Sequence, residues 1–303
     1  MPLGRGQARV RIDPSYCRVV ASPDVLRYSA FSARPDGGNP AGVVLDASRL
    51  EDIGMQRIAA EVDYAETAFI TGTTDDGART VRYFSPIAEV PFCGHATVAT
   101  AVALADGGFA QPGEVLRFAT PVGPVAITVS SDATGMRASF TSVPPVVTEL
   151  PADDLDAILR EIGVDAGAVD ADLPPRISNA GNPHPIIVIR DRAGFDAFTF
   201  DPDRVRVLMN ERGWPATITV LHRLAPDRFV ARNLFPVGRI TEDPATGSAA
   251  AAVGAYLREL GVVPEPSRVI IEQGAHVGRP SELIVDVPPE GGIVVSGYAV
   301  PIV

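Results

Sequence analysis

The chain has 303 residues, 46% hydrophobic and 21% charged, enough to build one large domain or two ordinary ones with proper cores. Its formal net charge of −11 argues against a nucleic-acid partner. All 26 of its Lys-plus-Arg residues are arginine, which excludes pyridoxal-phosphate enzymes, Schiff-base aldolases, P-loop ATPases and Ser–Lys hydrolases, since each needs a lysine amine.

Residues 1–21 are punctuated by arginine and read as a loosely tied N-terminal extension without the apolar run of a signal peptide. No stretch approaches 18 uncharged apolar residues, so no membrane partner is expected. Two cysteines, Cys17 and Cys93, cannot form a disulfide framework and point to a reducing, cytoplasmic setting. Four scattered histidines without CxxC or HxxxH spacing give no reason to expect a metal site.

A strand is predicted over 25–32, a turn-rich loop over 34–40 and a second strand over 41–45. Ser48 followed by Glu51 has the form of a capping box, opening a helix that runs to about Val62. Segments 66–71 and 80–84 flank Asp75-Asp-Gly77, a hairpin signal. An alanine-rich helix is predicted from Gly94 to about Asp106, then strands over 114–119, 125–130 and 136–140. Beyond a boundary near 141–151, Leu155, Ile158, Leu159 and Ile162 mark an amphipathic helix. Strands follow near 185–190, 216–224 and 227–235, then a helix from Gly247 to about Leu260 and strands to the C-terminus.

The second half repeats the first. Gly38-Asn39-Pro40 returns as Gly181-Asn182-Pro183. Arg82-Tyr-Phe-Ser-Pro86, a loop and Gly94-His-Ala-Thr return as Arg232-Asn-Leu-Phe-Pro236, a loop and Thr246-Gly-Ser-Ala. Two matches in one order imply two homologous halves, 22–145 and 146–292, the first completed on one reading by the last strand, 293–303. Both alanine-rich helices are apolar on every face, the pattern of a buried helix inside a curled sheet. A two-fold relation between halves would bring their positive ends to one cleft, a site for a carboxylate or an enolate oxygen.

Several residues there could carry chemistry. Glu66, inside the apolar run Tyr64–Ile70, is either an outward-facing strand residue or a buried acid with a raised pKa. His95 could donate to an anion or relay a proton, or simply fill the helix start; Cys93 is either a reactive thiol or a small buried hydrophobe. Asp243 and Ser248 flank a turn fixed by Pro244 and Gly247, where either could be an ordinary cap. His184, His222 and His276 have no local partner. Two carboxylates plus helix-end amides, with no lysine, metal or nucleotide motif, suit cofactor-independent proton abstraction beside a carboxylate.

In combination, Gly38-Asn-Pro-Ala-Gly-Val-Val, Ala65-Glu-Thr-Ala-Phe69, Glu89-Val-Pro-Phe-Cys-Gly-His-Ala-Thr97 and Glu242-Asp-Pro-Ala-Thr-Gly-Ser-Ala249 resemble the PhzF-like phenazine-biosynthesis family, from about Val25 to the C-terminus. The resemblance implies an α+β, diaminopimelate epimerase-like fold of two pseudo-symmetric halves, each a barrel-like sheet around a central helix. It implies an isomerase and a homodimer. It makes Glu66 the general acid/base that moves a proton between carbons of a cyclic dihydro-hydroxyanthranilate, with His95 and Asp243 assisting. Gly94, Ala96, Gly247, Ser248 and Asn39 are the expected contacts to a small carboxylate substrate. Gly94 and Asp243 stand where the epimerases of this fold carry their two catalytic cysteines, which disfavours a two-thiol racemase. Ala65 departs from the serine that often precedes the Glu-Thr pair. Two other readings stay open: an amino-acid-type epimerase using Glu66 and Asp243, and a catalytically idle ligand- or protein-binding relative.

Overall fold

A computed structural model describes residues 23–238 and 240–303; the N-terminal extension expected over 1–21, with Cys17, lies outside the described residues. The first half contributes β1 (Leu26–Ala30), β2 (Asn39–Val44), α1 (Asp52–Val62), β3 (Glu66–Thr73), β4 (Arg79–Phe84), β5 (Glu89–Val90), α2 (Gly94–Asp106), β6 (Val115–Thr120), β7 (Gly123–Ser131) and β8 (Met136–Thr141). The second contributes β9 (Val146–Glu149), α3 (Ala152–Ile162), β10 (Arg176–Asn179), β11 (Pro183–Val188), α4 (Arg192–Ala197), α5 (Pro202–Arg212), β12 (Ile218–Ala225), β13 (Arg228–Leu234), β14 (Glu242–Asp243), α6 (Gly247–Glu259), β15 (Ser267–Gln273), β16 (Ser281–Val287) and β17 (Val294–Pro301).

Strands β1, β2, β3, β4, β6, β7, β8 and β17 pair in a ring that closes through β17 onto β1, an eight-stranded barrel around α2. Strands β9 to β13, then β15, β16 and β17, follow one another around α6. β17 joins the two halves, since Val294–Ser296 pair with both β8 and β16 while Ala299–Pro301 pair with β1.

Composition explains the closeness of sheet and helix. Every residue from His95 to Leu104 in α2 is buried, as are Gly247 and Ala249–Leu257 in α6. Small side chains let the strands approach: a Cβ on Gly254 would meet Ile293 Cγ2 and Val285 Cγ1 at 2.8 Å. The buried polar groups of α2 are satisfied locally, with Thr97 and Thr100 hydroxyls donating to Cys93 and Ala96 carbonyls at 2.7 Å. Full burial of branched residues such as Val98 and Val102 contributes about 1.5–3 kcal/mol each.

The repeated motifs occupy equivalent places. Arg82 in β4 pairs with Glu89 in β5, and Arg232 in β13 pairs with Glu242 in β14. The capping box is corrected: α1 starts at Asp52 after Glu51 without a side-chain cap, and Ser48 instead bonds Asp46 Oδ1 through its backbone N–H and hydroxyl at 3.1 and 2.6 Å. The aspartate two residues upstream offers Ser48 a nearer partner than the helix does. Helices α4 and α5 and strands β9 and β10 add to the expected elements.

Candidate active site

The two central helices begin against each other. A Cβ built on Gly94 would lie 3.9 Å from Gly247 Cα, with the Phe140 ring beside both glycines. The approach is tight at Gly247, where a Cβ would meet Phe140 Cζ at 3.0 Å and Phe31 Cζ at 3.3 Å, whereas a Cβ on Gly94 would make only ordinary contacts. The first-turn amides of both helices have no partner within their own helix and carry the positive end of the dipole.

Glu66 opens β3 at this junction, paired with Ala41 on β2, and its side chain is 18% exposed. Its Oε2 lies 3.4 Å from His95 Nε2 and accepts from the Cys93 thiol at 3.5 Å. Burial first, and the Asp243 charge second, raise its pKa to about 7, against a smaller opposing effect of the Cys93 hydrogen bond. Burial holds His95 neutral, with its pKa lowered to about 3, so its contact with Glu66 is not an ion pair. Burial and the Glu66 charge push Cys93 well above the usual thiol value, leaving it protonated.

Asp243, on β14, enters from the other half of the chain. Asn39 Nδ2 donates to its Oδ1 at 2.7 Å and the Thr246 hydroxyl to its Oδ2 at 2.6 Å. Gln273 Nε2 holds its backbone carbonyl at 2.6 Å. Desolvation nonetheless raises Asp243 to about 6, the two side-chain hydrogen bonds opposing it.

The expected residues are therefore brought together in one place, with differing freedom. Asn39 bridges Asp243 and the Ala245 carbonyl, across more than 200 residues of sequence. The Ala96 side chain is fully buried, and its amide is directed at the Cys93 sulfur. The Ser248 hydroxyl is engaged by His184 Nε2 at 3.1 Å, a partner that sequence reasoning left without a role. Only the position of His184 after the repeated Asn182-Pro183 hinted at it, because that register places it beside the second helix start. His222 and His276 lie elsewhere, on the Ile189 carbonyl and Asp196 respectively.

Among the described residues, one trio brings metal-ligand atoms within 4.8 Å of one another: Glu66, Cys93 and His95. The thiol sits 3.3 and 3.7 Å from the two nitrogens of His95, nearly equidistant, a place to which neither lone pair points. Those residues fit a hydrogen-bonded acid pocket better than a preformed ion site.

Two barrel-like halves, each around a buried helix and joined at an acid-lined junction of helix starts, define an epimerase-like isomerase architecture. The chain belongs to the phenazine biosynthesis-like PhzC–PhzF family, whose sequence model matches residues 28–303. An uncharacterized isomerase of Deinococcus radiodurans is 34% identical to it over 278 residues, 88% of each chain. The trans-2,3-dihydro-3-hydroxyanthranilate isomerase of Pseudomonas chlororaphis is 29% identical over 260 residues, 83% of this chain and 86% of that one. The crystal structure of a Bacillus anthracis PhzF-family phenazine biosynthesis protein matches with a TM-score of 0.83 at 26% identity, covering 92% of this chain and 96% of that chain. The protein is an enzyme of the isomerase class.

Proposed function

We propose that this enzyme moves a proton within a small carboxylate-bearing substrate held between the two halves, with Glu66 as the general acid/base and no cofactor. One observation carries the reading: the Glu66 carboxyl, only 18% exposed, stands against Cys93 and His95 at the start of the first central helix, where burial raises its pKa to about 7. A group poised near neutral pH can take a proton from one carbon and return it to another without a large driving-force mismatch on either leg.

The remaining residues fall into supporting roles. First-turn amides at Gly94 and Gly247 bind the carboxylate and stabilise negative charge that develops as the proton leaves. Neutral His95 borders Glu66 and can share the proton in flight. Asn39 acts through its amide, which donates to Asp243 Oδ1 and the Ala245 carbonyl and so holds the second carboxyl at the site. Asp243 is less free than Glu66, because both its oxygens already accept hydrogen bonds. That asymmetry favours one mobile-proton carboxylate, as in an isomerase, over the matched pair of a two-base epimerase.

The likeness to trans-2,3-dihydro-3-hydroxyanthranilate isomerase makes cyclic dihydro-hydroxyanthranilates the first substrates to try. In deuterated water, turnover should give a shifted double bond, with solvent deuterium at the receiving carbon to the extent that Glu66 exchanges its proton. Glu66→Gln keeps the shape, removes the base and should cut turnover by about 10²–10⁴-fold with little loss of ligand affinity. Near-normal turnover in that variant would place the base elsewhere, and stereochemical inversion without bond migration would select the epimerase reading.

A further inference from the structure

His184 on β11 is fully buried, and its surroundings fix which nitrogen carries hydrogen. Its Nδ1 lies 3.1 Å from the Thr217 carbonyl oxygen and 2.9 Å from the Thr217 hydroxyl. A carbonyl only accepts, so Nδ1 is the N–H. The Thr217 hydroxyl is free to accept as well, because its own hydrogen goes to Asn233 Oδ1 at 3.0 Å; Thr219 donates to the same oxygen at 2.7 Å. Burial keeps the ring neutral at ordinary pH. A neutral imidazole has a single N–H, which leaves Nε2 as an acceptor. The group 3.1 Å from Nε2 is the Ser248 hydroxyl, so the serine donates inward.

The repeat shows what this chain of bonds replaces. His184 follows Asn182-Pro183 as Ala41 follows Asn39-Pro40, and Ala41 pairs with Glu66. The parallel ladder of β11 and β12, with Ile186 opposite Thr219, brings His184 level with Thr217. Thr217 thus stands in the second half where Glu66 stands in the first. Ser248 follows Gly247 as His95 follows Gly94. The first half places a carboxyl and an imidazole at the junction; the second places a hydroxyl whose hydrogen is already committed.

We propose that His184 is a positioning residue that fixes the Ser248 hydroxyl as a hydrogen-bond acceptor at the cleft, so that the substrate meets Ser248 through an N–H or O–H donor while the helix amides take its carboxylate. It rests on the reading of the cleft as the substrate site. A ligand that instead drew the serine hydrogen to itself would leave the buried Nε2 of His184 without a partner. Selection for an amino- or hydroxy-substituted acid over the bare acid follows from that penalty.

Two measurements test it. Nitrogen-15 NMR of the imidazoles, on the unliganded protein, should show His184 as the Nδ1–H tautomer; an Nε2–H tautomer overturns the proposal without any variant. Calorimetric titration should then give tighter binding of anthranilate than of benzoate, by about 3- to 10-fold, the worth of one added hydrogen bond. The preference should vanish in Ser248→Ala and in His184→Phe, and return at least partly in His184→Gln, whose amide oxygen can again accept from Ser248. Equal binding of the two acids to the wild-type protein, or a preference that survives in Ser248→Ala, defeats this inference alone. Failure of both acids to bind at millimolar concentration instead defeats the carboxylate-cleft reading beneath it.

Discussion

Asp243 holds Glu66 in its protonated form over a wider pH range than burial alone would. The two carboxyls come from opposite halves of the chain, and Asp243, at about 6, ionises before Glu66, at about 7. An anion is therefore already present when Glu66 gives up its proton, and like charge resists that loss. For a reaction begun by proton abstraction, kcat/KM should rise with pH through about 7 as Glu66 becomes the base. Asp243→Asn removes the neighbouring charge, so the rising limb should move to lower pH whatever happens to its height. A limb that stays in place in this variant would mean that burial alone sets the Glu66 value.

The same displacement makes Glu66 a stability liability at high pH. Its folded pKa of about 7 exceeds the ordinary 4.5, so the folded state binds the proton more tightly than the unfolded chain does. The sign is that stability is intact below the unfolded value and falls as pH rises from about 4.5 to 7, by about 3 kcal/mol at most. Glu66→Gln, which cannot ionise, should therefore be more stable than wild type at pH 8 and no more stable at pH 4. Urea midpoints at the two pH values measure this, and an equal gain at both would rule out ionisation as the cause.

How much of this was readable in the chain depends on whether the signal is local. The all-apolar faces of α2 and α6 announced buried helices, and the repeated Gly-Asn-Pro and Arg-x-x-x-Pro segments announced two halves. The bond from Asn39 to Asp243 spans 204 positions and leaves no periodic trace in either segment. His184 is similar: its partners are the Thr217 carbonyl and hydroxyl, just before β12, and Ser248 at the start of α6. Helix α5 is different, because Asp201 caps it, Pro202 occupies its first turn and Gly213 ends it in a left-handed conformation. Those signals are local and legible, but the helix is polar and only weakly amphipathic, so no apolar stripe marks it in the chain.

The helix junction makes a comparative prediction about its two glycines. A methyl at Gly94 would sit 3.6 Å from the Phe140 ring, an ordinary contact, whereas one at Gly247 would sit 3.0 Å from Phe140 and 3.3 Å from Phe31. Gly247→Ala should therefore destabilise by about 1–3 kcal/mol through overpacking, and Gly94→Ala by clearly less. Thermal unfolding of the two variants side by side checks the order. Equal losses would mean that the aromatic rings move aside freely.

The repeated arginine–glutamate pair tests burial against sequence identity. Arg82 and Glu89 have side chains 25% and 36% exposed, and Arg82 also reaches Asp52 at 2.6 Å. Arg232 and Glu242 are 7% and 8% exposed. The Arg232 guanidinium also lies 3.6 Å from the Phe198 ring centroid and donates to the Phe198 carbonyl at 2.8 Å, tying α4 to β13. Removing one charge from a solvated pair costs about 0–1 kcal/mol, whereas stranding a buried arginine costs about 3–5 kcal/mol. Glu89→Gln should thus be nearly silent in a denaturant titration and Glu242→Gln severe, although the two glutamates occupy the same place in the repeat. The kinetics should diverge in the same direction, because Glu242 adjoins Asp243 on β14 and a shift there loosens the carboxyl that tunes Glu66. Comparable losses in the two variants, in stability or in turnover, would show that the buried pair does not fix the second half's contribution to the site.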